Sequence, residues 1–310
     1  MSDDSAAPNK PSATVPASNE SYDGPVDVSV VLPCYNEEKA IPKVIGDIRA
    51  AMEGTRWKFE ILAVDDKSKD RTVERLEKCG VRIVKHPVNR GSGASRRTGT
   101  IEARGEIIVM LDADGTYNAP DIPKMLEFFP DYDQVNGART SEQGTHKLLR
   151  VPAKWAIRKL ACYLAGRHIP DLNTGLKAFK RDVMMKYLWV LPNGFSCVTT
   201  MTLAFLCNGH PVKYVSSEYH KRIGKSKFHP VKDTANYFST VIRMVTYFAP
   251  LRVFLPAAAF LLIAGIVKGL FNIIGPKHTL EESDIILICV GVLVLAVGML
   301  ADLIVAQKRG

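Results

Sequence analysis

From Asp27 onward, short apolar runs alternate with stretches whose apolar residues recur every three or four positions. The runs "DVSVVLPCY", "KFEILAVDD", "VRIVKHP" and "EIIVMLDAD" are aliphatic, rich in β-branched residues, and stop on polar groups, which is the pattern of buried strands. Between them lie "NEEKAIPKVIGDIRAAME", "SKDRTVERLEKCG" and "GASRRTGTIEARG", with helical spacing. The second opens on a Ser or Asp cap, and the last two end on Gly. Repeated β-α units predict an α/β fold: a mostly parallel sheet flanked by helices on both faces. In such sheets ligands collect beyond the carboxyl ends of the strands. Three predicted strand ends carry polar groups there: Tyr35-Asn36-Glu37, Asp65-Asp66 and Asp112-Ala113-Asp114.

The pattern changes near residue 231. "HPVKDTANYFSTVIRMVTYFAPLR" sets Val231, Tyr237, Phe238, Val241, Ile242, Val245 and Phe248 on one helical face, and leaves Lys232, Asp233, Asn236 and Arg243 to others. An amphipathic juxtamembrane helix over 231–250 is expected, either a platform that holds the site at headgroup level or an ordinary helix packed on the body. Residues 251–274 and 284–306 then form two mainly apolar stretches, each about 30 Å as a helix, the thickness of a bilayer core. The short loop "GPKHTLEES" makes them a transmembrane hairpin with both ends on one side. Arg243 and Arg252 flank the first span, and Lys308 and Arg309 follow the second. The positive-inside rule therefore puts the ends and the N-terminal body in the cytoplasm. Lys268 interrupts the first span, and either snorkels or faces the partner helix. Residues 1–26, rich in Ser, Ala, Pro and Asn, read as a disordered tail. The organisation expected is tail 1–26, catalytic domain 27–230, juxtamembrane helix 231–250 and hairpin 251–310.

Charge narrows the partners. The 310 residues carry a formal charge of +9, which suits nucleic acid, an acidic membrane face or a phosphorylated substrate. The basic residues are spread through motifs and span flanks without an aromatic stacking platform, which weighs against nucleic acid. The six cysteines show no CxxC pair and read as reduced, buried hydrophobes. Asp112 and Asp114, one residue apart at a strand end, can both offer oxygen to a hard divalent cation, and Mg²⁺ or Mn²⁺ completes such a set with water and phosphate oxygens. A simple turn is the competing reading of Asp114-Gly115.

"VVLPCYNEE", "ILAVDDKSKDRT", "NRGSGASRRTG" and "MLDADGTY", in that order and spacing, resemble family 2 inverting glycosyltransferases of the GT-A fold, over roughly residues 27–230. With the hairpin, and with "GART", "HKLLR", "DLNTGLKAFKRDV" and "YHKRIGKSKF", the chain resembles the polyprenyl-phosphate hexosyltransferases among them. The resemblance implies transfer of a hexose from a nucleotide sugar, of GDP-mannose or UDP-glucose type, to a polyprenyl phosphate. It implies that Pro33, Tyr35 and Glu37 line the base and ribose pocket and that Asp65 or Asp66 binds the base. Arg90 and the "GSGASRR" segment would sit near the nucleotide, their glycines permitting close backbone approach. Asp112 and Asp114 would hold the metal, and Arg139, Arg150, Arg222 and Ser226 would meet phosphates of donor or acceptor. Relatives carry a Gln where this chain has Thr116, so the metal takes Thr116, another water or Asp66. The Gly usual after the first acidic pair is Lys67. Two other readings stand beside this one: a processive polysaccharide or glycolipid synthase, disfavoured by two spans and no Q-x-x-R-W element, and a non-catalytic membrane scaffold binding lipid carriers. Self-association through the hairpin is left open.

Overall fold

The structure, a computed structural model, describes residues 25–139, 158–163, 165–194, 196–220, 230–275 and 279–307, and for 230–238 the backbone alone. The expected tail lies outside these residues apart from Pro25 and Val26, and Val26 is buried.

Among the described residues seven strands form one sheet in the order β3-β2-β1-β4-β6-β5-β7. They are β1 (Val28–Cys34), β2 (Phe59–Asp65), β3 (Arg82–Lys85), β4 (Ile107–Met110), β5 (Gln134–Arg139), β6 (Lys177–Lys180) and β7 (Val212–Ser217). Strands β1 to β4 pair in parallel, β6 runs antiparallel between β4 and β5, and β5 pairs in parallel with β7. The sheet is thus mixed and mostly parallel.

Both faces are covered, which explains why the strands read as continuous apolar runs rather than alternating ones. Val28, Val30 and Leu32 of β1 enter one core with Ile41, Val44, Ile45 and Ile48 of α1 (Ile41–Met52), and with Leu76 of α2 (Thr72–Lys78). Val31, one position out of phase, enters the opposite core with Leu62 and Val64. α3 (Ser92–Glu102) packs on that second face, which α5 (Arg181–Met185) and α6 (Cys197–Cys207) also cover. α4 (Asp121–Leu126) lies on the first. A Cβ at Gly99 of α3 would stand 2.3 Å from the Val31 side chain, so glycine lets this helix lie close on the sheet.

A third core joins α6 to α7 (Pro230–Phe248) through Leu203 and Ala204 on one side and Val241, Met244, Val245 and Phe248 on the other. α7 is therefore part of the body as well as its exit. After Ala249 and Pro250 the chain enters α8 (Leu251–Ile274), which packs antiparallel to α9 (Glu282–Gln307). Both are long and apolar enough to cross a membrane. Their outer faces expose Phe260, Phe271, Leu293 and Leu303, a surface that water would not tolerate in an isolated soluble protein. Lys268 faces the partner helix: its Nζ lies 2.9 Å from Asp284 Oδ1 and 3.2 Å from Glu281 Oε2, while Asn272 donates to Asp284 Oδ2 at 2.8 Å.

Candidate active site

The three polar strand ends foreseen in the sequence do meet. β1 and β2 end level, Cys34 opposite Asp65, and β4 lies on the other side of β1. Beyond these ends opens a cleft of about 650 Å³, whose walls include Pro33, Tyr35, Glu37, Asp66, Asp112, Asp114 and Arg139. The backbone turns sharply here. Asn36 and Lys67 adopt left-handed φ values of 54° and 64°. Asn tolerates that conformation, whereas a lysine adopts it at a cost of about 1 kcal/mol or more.

The acidic pair of β2 divides its work. Asp66 is buried and accepts hydrogen bonds from the backbone N–H of Arg90 (2.8 Å) and Gly91 (2.7 Å), and His86 Nδ1 lies 2.7 Å from it. Thr98 Oγ1 lies 2.9 Å from the other nitrogen of His86. Asp66 thus staples the 89–91 loop to the sheet. Asp65 accepts Ser68 N–H at Oδ2, and its Oδ1 is buried with no hydrogen-bond partner among the described residues. A buried carboxylate oxygen left open is costly unless something binds it. Arg90 contributes its backbone; its side chain is exposed and does not line the cleft.

The glycines of "GSGAS" have a different neighbour from the one expected. A Cβ at Gly93 would meet Pro192 O at 2.0 Å, and one at Gly91 would meet Asn193 O at 2.5 Å. Gly93 N–H donates to Asn193 O at 2.8 Å. The chain's own 192–194 loop approaches closely here, and its Pro192 and Gly194 line the cleft.

Asp112 and Asp114 differ as well. Asp112 is 38% exposed at the side chain, and one oxygen is held by the guanidinium of Arg96, itself only 4% exposed. Its other oxygen sits against Gly175, where a Cβ would stand 2.5 Å from Oδ2. Asp114 is buried and accepts from Thr116 N–H (3.1 Å) and Oγ1 (2.6 Å). Thr116 therefore supports Asp114, and its hydroxyl is not a wall of the cleft. Among the described residues no group of three or more His, Cys, Asp or Glu could hold a metal. Two carboxylates from one strand end remain, both facing the cleft, which is the protein share that Mg²⁺ takes when substrate phosphates and water supply the rest.

Arg139 closes β5 and reaches Asp171 through two parallel bonds, Nε to Oδ2 at 2.7 Å and Nη2 to Oδ1 at 3.0 Å. Burial alone would raise the Asp171 carboxyl, but the hydrogen bonds and charge of Arg139 outweigh it and hold it below its ordinary value. The guanidinium also lies 5.4 Å from the centre of the Tyr219 ring. Tyr219 packs edge-on against Tyr117, and His220 N–H donates to Thr116 O at 2.8 Å, so the chain after β7 runs back along the 114–117 loop. Arg150, Arg222 and Ser226 lie outside the described residues.

Arg96, His86, Asp171 and Gly175 thus shape the site, and so do Ser239, Thr240 and Arg243 of α7, which line the same cleft. Arg96 lies inside the "GSGASRR" segment, and Asp171 and Gly175 lie inside "DLNTGLKAFKRDV"; the others carry no motif of their own.

Residues 29–188 match the family described as Glycosyl transferase family 2, and residues 249–306 match the GtrB C-terminal hairpin. A dolichyl-phosphate hexose transferase from Haloferax volcanii is 30% identical over 220 residues, covering 70% of this chain and 93% of its own. An undecaprenyl-phosphate 4-deoxy-4-formamido-L-arabinose transferase from Pseudomonas paraeruginosa is 28% identical over 265 residues, 81% of this chain and 74% of its own. Among solved structures, glucosyl-3-phosphoglycerate synthase from Mycobacterium tuberculosis, in complex with Mn²⁺, UDP-glucose and phosphoglyceric acid, superposes with a TM-score of 0.55 at 19% identity. It covers 71% of this chain and 80% of that one, a likeness of fold. With its family match spanning half its length, and its strand-end acids gathered at one cleft, the chain belongs to glycosyl transferase family 2.

Proposed function

We propose that this protein transfers a hexose from a nucleotide sugar to the phosphate of a polyprenyl phosphate, with inversion at the anomeric carbon. One observation carries the reading. A single cleft joins the strand-end acids to α7, which continues through Pro250 into an apolar hairpin. Donor chemistry and membrane entry therefore share one cavity. The relatives from Haloferax and Pseudomonas, named for dolichyl- and undecaprenyl-phosphate substrates, support it. Residues 27–230 form the catalytic unit, 231–250 the juxtamembrane helix and 251–310 the membrane hairpin, with the catalytic unit on the cytoplasmic side by the positive-inside rule.

In this reading the base and ribose lie along Pro33, Tyr35 and Glu37, and Asp65 or Asp66 binds the base; Asp66 lines the cleft, whereas Asp65, whose Oδ1 has no partner among the described residues, is buried and is not one of its walls. Asp112 and Asp114 would hold Mg²⁺ or Mn²⁺, with Thr116 orienting Asp114. Such an ion, when bound, would supply Lewis-acid stabilisation of the departing diphosphate. An acceptor phosphate oxygen forms the new bond to the anomeric carbon as the bond to the diphosphate breaks. The nucleoside diphosphate leaves with the electron pair. A phosphate monoester, with a second pKa of about 6, is already largely dianionic at neutral pH, so no strong general base is needed. What the protein must do is place it. Arg139 offers the guanidinium hydrogens that Asp171 leaves over, and Arg150, Arg222 and Ser226 complete the phosphate contacts.

Asp114→Asn tests the reading. It keeps the shape of the side chain and removes its charge. Sugar transfer to farnesyl phosphate should fall by roughly 10²-fold or more, the scale for losing one stabilising electrostatic group. Binding of Mn²⁺ in the presence of UDP or GDP, followed by electron paramagnetic resonance, should weaken in parallel. Near-normal transfer and unchanged Mn²⁺ binding would remove Asp114 from the metal site.

A further inference from the structure

Three arginines line the described walls of the cleft, and two are already committed. Arg96 is held by Asp112, and Arg139 is bidentate on Asp171. The third, Arg243 of α7, is exposed and has no ion-pair or hydrogen-bond partner among the described residues. Ser239 lies one helical turn earlier on the same face and also lines the cleft. The opposite face of α7 is fixed in the body by Val241, Met244, Val245 and Phe248, so the direction of Arg243 is set by packing. Arg243 precedes the start of α8 at Leu251 by about two helical turns, ~12 Å. Among the described residues the cleft therefore carries one uncompensated guanidinium, on the helix that leads to α8.

We infer that Arg243, with the hydroxyl of Ser239, receives the phosphate of the lipid acceptor as it enters the cleft from the bilayer. This rests on the function proposed above and adds to it a recognition residue on the juxtamembrane helix. The chemistry suits a phosphate monoester on an apolar chain. A guanidinium can grip two phosphate oxygens, the hydroxyl a third, and the chain can follow α7 down towards α8. A donor diphosphate is the poorer fit, since under the proposed function its charge would be met by the divalent ion that Asp112 and Asp114 would hold.

The test is binding of tritiated farnesyl phosphate to the purified full-length chain in detergent, with tritiated farnesol as the control for apolar partition. Wild type, Arg243→Gln and Arg243→Lys are compared. Arg243→Gln should weaken farnesyl phosphate binding by about 10- to 100-fold, the range for losing a charge-assisted hydrogen bond, and leave farnesol unaffected. Arg243→Lys should recover part of the loss. Competition by inorganic phosphate at concentrations that leave farnesol untouched would assign the site to the phosphate itself. Equal farnesyl phosphate binding by wild type and Arg243→Gln would overturn the inference, as would no binding by the wild type. UDP or GDP binding by calorimetry, unchanged in Arg243→Gln, shows that the donor side is folded; an equal loss there would place Arg243 with the donor and overturn the inference. The two readings fail separately. Binding that depends on Arg243 without sugar transfer to farnesyl phosphate defeats the proposed reaction and leaves the phosphate site standing.

Discussion

Lys177 is a fully buried cation on β6, one strand away from the acidic end of β4. Its Nζ donates to Asn136 Oδ1 at 3.1 Å and to Thr202 Oγ1 at 2.6 Å, and among the described residues no carboxylate touches it. Burial pushes its pKa down from 10.5 to about 7. The sign of the consequence follows from proton counting. Between pH 7 and 10.5 the unfolded chain binds the proton and the folded chain does not, so stability rises with pH across that window, by at most about 1.4 kcal/mol per pH unit. Below pH 7 the full penalty is present. Lys177→Met keeps the volume and removes the titration. Unfolding curves between pH 7 and 9.5 should rise for the wild type and stay flatter by this amount for Lys177→Met; parallel slopes would show that Lys177 stays charged in the fold. The residue scale is also where the sequence says least. Asp112 and Asp114 are legible because one residue separates them at the end of an apolar run. Arg139 and Asp171 are 32 positions apart, and Arg96 and Asp112 are 16 apart. Their pairing is set by β5, by α3 and by the loop before β6, and no local pattern announces it. The phosphate role expected of Arg139 reads differently once half its fork is seen to be occupied.

Elements were the most legible level, because their patterns are local. The buried positions of α1, Ile41, Val44, Ile45, Ile48 and Met52, are those that the 3.6-residue period selects. β6 was hidden, since "KAFK" is short and its place between β4 and β5 is a matter of topology. In the hairpin the apolar runs stood out, whereas the seam between the helices did not. It is built from glycines: a Cβ at Gly291 would lie 2.8 Å from Leu262 Cγ and 3.1 Å from its backbone nitrogen, and one at Gly265 would lie 3.1 Å from the nitrogen of Ile288. Small residues let apolar helices approach where no hydrophobic force drives them together. The Lys268–Asp284 clasp closes the loop end of that seam. Gly291→Leu must push backbone from backbone. It should lower stability by about 1–3 kcal/mol, the scale for overpacking, measured as a shift in the SDS-unfolding curve of the purified protein. Val292→Leu, one position on and exposed, is the control and should leave the curve in place. Equal shifts for both would mean that the helices do not meet along the glycines.

At the scale of the whole molecule, the link between chemistry and membrane is short and stiff. α7 belongs to the core of the body through Val241, Met244, Val245 and Phe248, and only Ala249 and Pro250 separate it from α8. The height of the cleft above the bilayer is then a property of the fold. Under the proposed function this height has a purpose: the acceptor phosphate must reach Asp112 and Asp114 while its chain stays in lipid. Inserting four residues, Ala-Ala-Lys-Ala, between Ala249 and Pro250 would lift the body by about 6 Å if the insert is helical, and would turn it by roughly 40°. Both changes carry the cleft mouth away from the carrier without altering a residue of the site. A long-chain polyprenyl phosphate in liposomes should be used much less well, by about tenfold or more, since small displacements at a reacting centre are that costly. Farnesyl phosphate in detergent can approach from solution and should be used nearly as before. The ratio of the two rates is the measurement. A ratio that does not move would mean that the juxtamembrane helix does not set the depth of the site, and a parallel loss with both acceptors would place the damage in the body itself.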